Sequence, residues 1–143
     1  MAWITPKTDW KGSRDINGVY TGDYFNASDY NRIKNNISHL RDMALALYDN
    51  FELSDMGNDR TPADYLYADD INQLEGNLRT IITKTINDVY PRTPIRMANE
   101  PMITFMDLNA LERRVLETYE KLMNVLNERR TFTWNFGERG GVL

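Results

Sequence analysis

Residues 25–37 read Phe-Asn-Ala-Ser-Asp-Tyr-Asn-Arg-Ile-Lys-Asn-Asn-Ile, and residues 66–78 read Leu-Tyr-Ala-Asp-Asp-Ile-Asn-Gln-Leu-Glu-Gly-Asn-Leu. Residues 103–115 form a fainter third copy, Ile-Thr-Phe-Met-Asp-Leu-Asn-Ala-Leu-Glu-Arg-Arg-Val. Each copy contains Asp, an apolar residue, Asn, any residue, and then Ile or Leu. The copies begin 41 and then 37 residues apart. This spacing predicts that the chain repeats one supersecondary unit.

Each copy has the pattern of a helix start. Asn26 can accept hydrogen bonds from the first-turn N–H groups, and Asp29 completes a capping-box-like pair, as Thr104 and Asp107 do in the third copy. Apolar side chains follow at alternating steps of three and four, which is typical of an amphipathic helix. We therefore expect an all-α protein with helices at about 27–49, 68–89 and 105–130.

The ends of the chain have a different pattern. Residues 1–25 lack a helical period and are rich in Gly, Pro and aromatic residues, which predicts an extended aromatic arm. Residues 131–136, Thr-Phe-Thr-Trp-Asn-Phe, alternate polar and aromatic side chains, which predicts a short β-strand. The expected organisation is an arm over 1–25, a three-helix region over 26–130, and a C-terminal strand and tail over 131–143.

Composition limits the classes of function. The 143 residues carry a net charge of −4, which argues against a nucleic-acid partner. The absence of cysteine excludes disulfides, thiol chemistry and zinc–thiolate sites. No apolar run approaches the roughly 18 residues that span a bilayer, so we expect no membrane partner. The start lacks the apolar core of a signal peptide, which predicts synthesis and retention in a cytoplasm until assembly.

The recurring polar residues have two interpretations. They could be repeated ligand-binding carboxylates, or each Asp could cap a helix while each Asn bonds a neighbouring helix end or loop. The coincidence with predicted first turns favours capping. Asn36 and Asn77 also recur, and the pattern leaves open whether they are buried and fix the register or are exposed. The predicted capping repeat comprises Asn26, Asp29, Asn31, Asp70, Asn72, Thr104, Asp107 and Asn109.

No pattern predicts a reaction centre. The single histidine, His39, has no nucleophile signature near it, which makes it a poor catalytic candidate. The acidic connector over 50–66 lacks the glycine and glutamate spacing of a calcium loop, so a solvated loop is favoured over a cation site. We therefore expect a protein that is not an enzyme and has no cofactor or metal.

Aromatic residues are concentrated at the two ends of the chain. Unstructured polar linkers rarely contain tryptophan, so the arm should dock on a surface. A protein surface, in the same or a neighbouring chain, is favoured over a sugar because aromatic residues are common interface anchors. The interface candidates are Trp3, Trp10, Tyr24, Phe25, Phe132, Trp134 and Phe136.

Part of the sequence resembles a family of virion proteins. The stretches Trp3-Ile4-Thr5-Pro6-Lys7-Thr8-Asp9-Trp10, Asp23-Tyr24-Phe25-Asn26 and Asp29-Tyr30-Asn31-Arg32-Ile33-Lys34-Asn35-Asn36-Ile37 are similar to small structural proteins encoded among the tail and baseplate genes of phages and prophages of Gram-positive bacteria. The C-terminal Thr-Phe-Thr-Trp-Asn-Phe-Gly resembles the aromatic–glycine strand of such proteins. The resemblance implies a connector or fibre-associated role without catalytic residues.

The hypothesis from the sequence is a virion structural protein of the phage tail, baseplate or neck, assembled in the bacterial cytoplasm. Its expected partners are other virion proteins and copies of itself, in a homo-oligomer such as a trimer. The long connectors favour helices that pack between chains over a compact bundle within one chain. Two alternatives remain: a receptor-binding module that reads cell-wall glycan, and a small non-virion regulator that binds a host protein.

Overall fold

The computed structural model describes residues 3–48, 51–64, 67–86 and 104–139, with side chains as far as residue 128. Three helices follow one another: α1 (Ala27–Leu47), α2 (Ala68–Lys84) and α3 (Phe105–Arg139). The all-α fold class is confirmed. The first helix ends two residues before its predicted boundary. The second helix ends at Lys84, whereas its predicted boundary was near residue 89; residues 87–89 of that prediction lie outside the described residues.

Each helix begins with the same backbone contact. The carboxylate of Asp29 accepts a hydrogen bond from the Asn26 N–H at 2.9 Å, and Asp70 accepts one from the Tyr67 N–H at 2.8 Å. In α3 the contact is reciprocal, since the Asp107 N–H donates to the Thr104 hydroxyl at 3.1 Å. An acidic side chain in the first turn is also favoured by the positive end of the helix dipole. The repeat therefore fixes where each helix starts.

The core is built from equivalent positions of the three copies. The residue after the repeated Asp is buried in each helix (Tyr30, Ile71, Leu108), as is the residue three further on (Ile33, Leu74, Leu111). These side chains belong to one hydrophobic cluster, which also includes Ile37, Leu78 and Val115 from the next turn. The three helices thus pack against one another within a single chain, unlike the packing between chains that the connector lengths favour.

The predicted C-terminal strand is not observed. The backbone of residues 131–136 continues α3, which runs unbroken to Arg139. A strand needs a partner for its N–H and C=O groups, whereas a helix pairs them within the segment itself. No described residue forms a sheet beside this region, so the alternation of polar and aromatic residues was misleading about its backbone.

Residues 11–23 of the arm form a short hairpin. The Asp23 N–H donates to the Lys11 carbonyl at 2.8 Å, and the Thr21 N–H donates to the Ser13 carbonyl at 2.8 Å. Gly18 closes the turn at φ 81°, a left-handed conformation that favours glycine. The hairpin contributes no residue to the buried core. It projects from the body between the first extended stretch and α1.

Candidate functional site

The repeated asparagines hold non-helical backbone against the helices. Asn31 of α1 donates from Nδ2 to the Arg60 carbonyl at 2.8 Å, while its Oδ1 accepts from the Arg60 N–H at 2.6 Å. Asn109 of α3 does the same to Trp10, with distances of 2.9 Å and 2.6 Å. Each side-chain amide therefore pairs with one residue's backbone as a neighbouring β-strand would. We call this two-bond arrangement an amide clamp.

A second pair of clamps uses the other recurring asparagines. Asn36 of α1 clamps Ile4, with hydrogen bonds of 2.7 Å and 3.0 Å. Asn77 of α2 clamps Ser54, with two hydrogen bonds of 2.9 Å. Asn36 and Asn77 are both almost fully buried. Of the two interpretations left open for these residues, burial is confirmed, and both side chains bond backbone outside the helices.

The clamped residues follow one spacing. In the first segment the clamps hold Ile4 and Trp10, and in the second they hold Ser54 and Arg60, so both pairs are six residues apart. The supersecondary unit is therefore a non-helical segment followed by a helix. The helix of each unit clamps the first residue of the segment in the same unit, and a helix of a different unit clamps the residue six positions later. We name residues 4–10 the first segment and residues 54–60 the second segment.

A buried charged residue lies beside each clamp at the same position of the repeat. Glu112, three residues after Asn109, accepts a hydrogen bond from the Lys7 N–H at 3.1 Å. Lys34, three residues after Asn31, donates to the Gly57 carbonyl at 3.2 Å. Lys7 and Gly57 are the midpoints of the two segments. Each segment is thus held at its start, middle and end by side chains that contact backbone.

Glu112 is the most densely bonded of these residues. Its side chain is 1% exposed and accepts hydrogen bonds from Arg32 Nε at 2.8 Å and Arg32 Nη2 at 2.9 Å. The Trp10 indole N–H also donates to it. Arg32 further pairs with Asp29 at 2.8 Å. Burial opposes the charge of the guanidinium, but its contacts with Glu112 and Asp29 outweigh burial and raise the pKa of Arg32.

Lys34 carries the opposite charge at the equivalent position. Its ammonium group lies 2.6 Å from a carboxylate oxygen of Asp59, and the lysine side chain is almost fully buried while that of Asp59 is exposed. The hydrogen bond from Lys34, together with a weaker one from Asn35, lowers the pKa of Asp59. Without such a partner the buried ammonium group would be costly, so this pair belongs to the attachment of the second segment.

The third asparagine of the repeat is Asn72, at the position of Asn31 and Asn109. It lines a surface groove between α2 and the second segment, together with Gln73, Asn77 and Ser54. Asp70, also in that groove, accepts a hydrogen bond from Arg60 at 3.3 Å.

The arm aromatics differ in their surroundings. Trp10 is 3% exposed, and its ring lies 6.0 Å from that of Phe25, which packs against the core. Trp3 stacks on Tyr119 of α3, with ring centroids 4.0 Å apart and planes 8° apart. Tyr24 is 66% exposed. The side chains of the other interface candidates, Phe132, Trp134 and Phe136, lie outside the described ones.

His39 and the acidic side chains are the residues to consider for a metal site. His39 lies beside the Trp3–Tyr119 stack, with its ring centroid 5.8 Å from that of Trp3. Within the described ranges, no group of three or more His, Cys, Asp or Glu side chains is placed to hold a metal ion. Among the described helices, none combines the length and the apolar character needed to cross a membrane.

Comparison with models of protein families, with curated protein sequences and with solved structures finds nothing that matches this chain.

The prediction that the repeated asparagines bond helix ends or loops is confirmed for the loop alternative at Asn31 and Asn109, whose partners Arg60 and Trp10 lie outside the helices. Sequence reasoning did not identify which residues of the arm and connector they bind. The signal that could have revealed them is the second repeated position, since Lys34, Glu75 and Glu112 all fall on the buried side of their helices. A charged residue buried at the same place three times indicates a polar partner.

Proposed function

We propose that this protein is a structural component of a phage virion, a connector of the tail, baseplate or neck that acts through self-association and through docking of its arm. The observation that supports this proposal is how the helices hold the non-helical segments. The buried residues Asn36, Asn77 and Glu112 and the half-buried Asn109 all bond backbone of those segments, so these polar groups serve attachment. The resemblance of the arm and first helix start to small virion proteins supports the same proposal.

The mechanism is mechanical. Capped helices form short rigid rods, and the clamps fix the arm to two of them, since Asn36 belongs to α1 and Asn109 to α3. A force applied to the arm would act on the clamps at Ile4 and Trp10 together. Hydrogen bonds that must break at the same time resist force better than bonds that break one by one. A body held in this way can transmit position from one neighbour to the next within a particle.

The glycan-binding alternative is less well supported. A stacking platform needs an accessible aromatic face, yet Trp10 is buried and Trp3 is already stacked on Tyr119. Trp10 also donates its indole N–H to Glu112, a bond that a sugar hydroxyl would have to replace. The exposed Tyr24 is the arm aromatic that this alternative could still use.

The test is to delete the gene in the phage or prophage that carries it and to examine particles separated by density. We expect the protein in purified particles by mass spectrometry, and incomplete tails in the deletion strain. Complementation with Trp10→Phe, which keeps apolar packing, should restore assembly better than Trp10→Ala. Normal particles that lack the protein would overturn the proposal and favour the non-virion regulator. Complete particles that fail only to adsorb would favour the glycan-binding module.

A further inference from the structure

The hairpin over residues 11–23 is an insertion in one unit of the repeat. From the last clamped residue to the helix cap there are sixteen positions in the first unit, Trp10 to Asn26, and seven in the second, Arg60 to Tyr67. The second unit closes this distance with a turn in which the Asp64 N–H donates to the Thr61 carbonyl. Insertions in repeat units tend to lie on one face, and that face often binds a partner.

The inserted hairpin is internally well ordered. Asp15 accepts hydrogen bonds from the Asn17 and Val19 N–H groups at 2.8 Å and 2.9 Å, and Arg14 donates to the Gly18 carbonyl at 2.9 Å. At the base, the Tyr20 hydroxyl donates to the Asp23 carbonyl at 2.7 Å. A segment that is already ordered loses little conformational entropy on binding, so this hairpin is suited to presenting a fixed shape.

The ordered hairpin exposes apolar side chains at its tip. Ile16 is 98% exposed and Val19 is 59% exposed, and neither belongs to the core. We name these two residues the hairpin tip. Single exposed apolar residues are common on surfaces. Two of them on a hydrogen-bonded insertion that adds nothing to the core are better explained by a binding role.

A groove of mixed polar and apolar character lies at the foot of the same hairpin. Tyr24, Phe105 and Met106 form its apolar part and are exposed to solvent, and Arg14 and Asp23 also line it. The Phe105 ring lies against the backbone of Gly12, so the hairpin and the start of α3 form one surface. We name this feature the α3 groove. The almost complete exposure of Ile16 shows that the tip does not fill the groove of its own chain.

The geometry points to a second copy of this chain as the occupant: the hairpin tip of one copy inserts into the α3 groove of the next. One surface provides both an apolar projection and a hollow with an apolar part, so the groove of one copy can cover the exposed tip of another. Charge supports the same partner. Residues 1–25 balance three basic residues (Lys7, Lys11, Arg14) against three acidic ones (Asp9, Asp15, Asp23), while residues 49–70 hold seven acidic residues against Arg60. Copies of an acidic chain meet with least repulsion at the neutral surface.

The proposed contact is heterologous: the tip of one copy enters the groove of the next copy, whose own tip enters the groove of a third. Such contacts build rings when the rotation closes and filaments when it does not. The inference rests on the self-association in the proposed function and deepens it by naming the surfaces that meet.

The experiment measures solution mass by analytical ultracentrifugation over a wide concentration range. We expect the full chain to associate, and Ile16→Asp (tip) and Met106→Asp (groove) each to raise the dissociation constant at least ~10-fold, since each places a charge in a desolvated contact. Asn17→Asp adds the same charge to the turn without removing apolar surface, and it should associate as the unmodified chain does. Val19→Asp is a second tip variant.

Mixing the variants distinguishes a head-to-tail contact from others. Ile16→Asp keeps a working groove and Met106→Asp keeps a working tip, so an equimolar mixture should form one-to-one dimers and nothing larger. Because these side chains are exposed, the melting curves of both variants should match that of the unmodified chain.

Three results would overturn the inference: a full chain that stays monomeric at high concentration, an Ile16→Asp variant that associates normally, or a mixture that remains monomeric. Detection of the protein in purified particles is independent of these results. A monomer that is nevertheless present in particles would refute the head-to-tail contact and leave the structural role standing.

Discussion

Asn109→Ala removes one complete amide clamp and leaves the rest of α3 unchanged. The variant loses two hydrogen bonds to Trp10, of 2.6 Å and 2.9 Å, and leaves a partly buried N–H and C=O without their partners. At about 1–1.5 kcal/mol for each bond, the loss is about 2–3 kcal/mol. Alanine recovers about 0.5 kcal/mol through its higher helix propensity. The expected net destabilisation is therefore about 1.5–2.5 kcal/mol, a fall in melting temperature of about 3–10 °C.

Urea unfolding followed by tryptophan fluorescence measures this change, and limited proteolysis of the arm provides a second measurement. Asn35→Ala is the matched control, because Asn35 is also a helical asparagine but makes only a 3.2 Å hydrogen bond to the exposed Asp59. It should change stability by less than about 0.5 kcal/mol. If Asn109→Ala were no more destabilising than Asn35→Ala, or if the arm kept its resistance to protease, the clamp would not hold the arm as described.

Three further predictions concern other contacts. Glu112→Gln keeps the shape of the side chain but leaves Arg32 without its buried carboxylate partner, and we expect a loss of about 2–4 kcal/mol by urea unfolding. Gly12→Ala would place a methyl group into the Phe105 ring and should cost about 1–3 kcal/mol; Gly12→Ala combined with Phe105→Ala should cost less than the sum of the two single changes in a double-mutant cycle. The pKa of Asp59 is lowered from 3.8, so the folded state binds fewer protons there than the unfolded state does. The contacts of the Asp59 carboxylate therefore stabilise the folded state above pH 3.8, and this stabilisation is lost as pH falls through the lower pKa of the folded state. We expect Asp59→Asn to flatten this part of an acid unfolding profile.

The helices could be predicted because their signals are local. Capping boxes and apolar steps of three and four lie within a few residues of one another, and they placed all three starts correctly. The end of α2 was less predictable, since Thr80, Ile81, Ile82 and Thr83 are β-branched and propensity alone does not decide where packing stops supporting the helix. The expected strand over 131–136 failed for a related reason: alternation describes side chains, while a strand also requires a backbone partner.

The sequence indicates polar partners for the repeated positions but does not identify them, because the clamped residues are distant in the chain and share no side-chain signal. Ile4 and Ser54 occupy equivalent places, as do Trp10 and Arg60, yet the members of each pair have little in common. Connector length argues against a compact bundle only where the connector is a free spacer. In the described structure the second segment is bound along its length, which removes the objection to packing within one chain.

Recognition of backbone by asparagine has a consequence for how this architecture can change over time. A helix face that binds only N–H and C=O groups tolerates many different side chains in the segment that it holds. Lys7 and Gly57 occupy equivalent positions and have unlike side chains, which illustrates this tolerance. The segments can therefore diverge, or be exchanged, while the helix starts stay constrained. Distant relatives should accordingly be sought by the helix pattern alone: an Asp, an Asn two residues later, an acidic or basic residue three beyond it, and a second Asn two after that, as in α1 and α2.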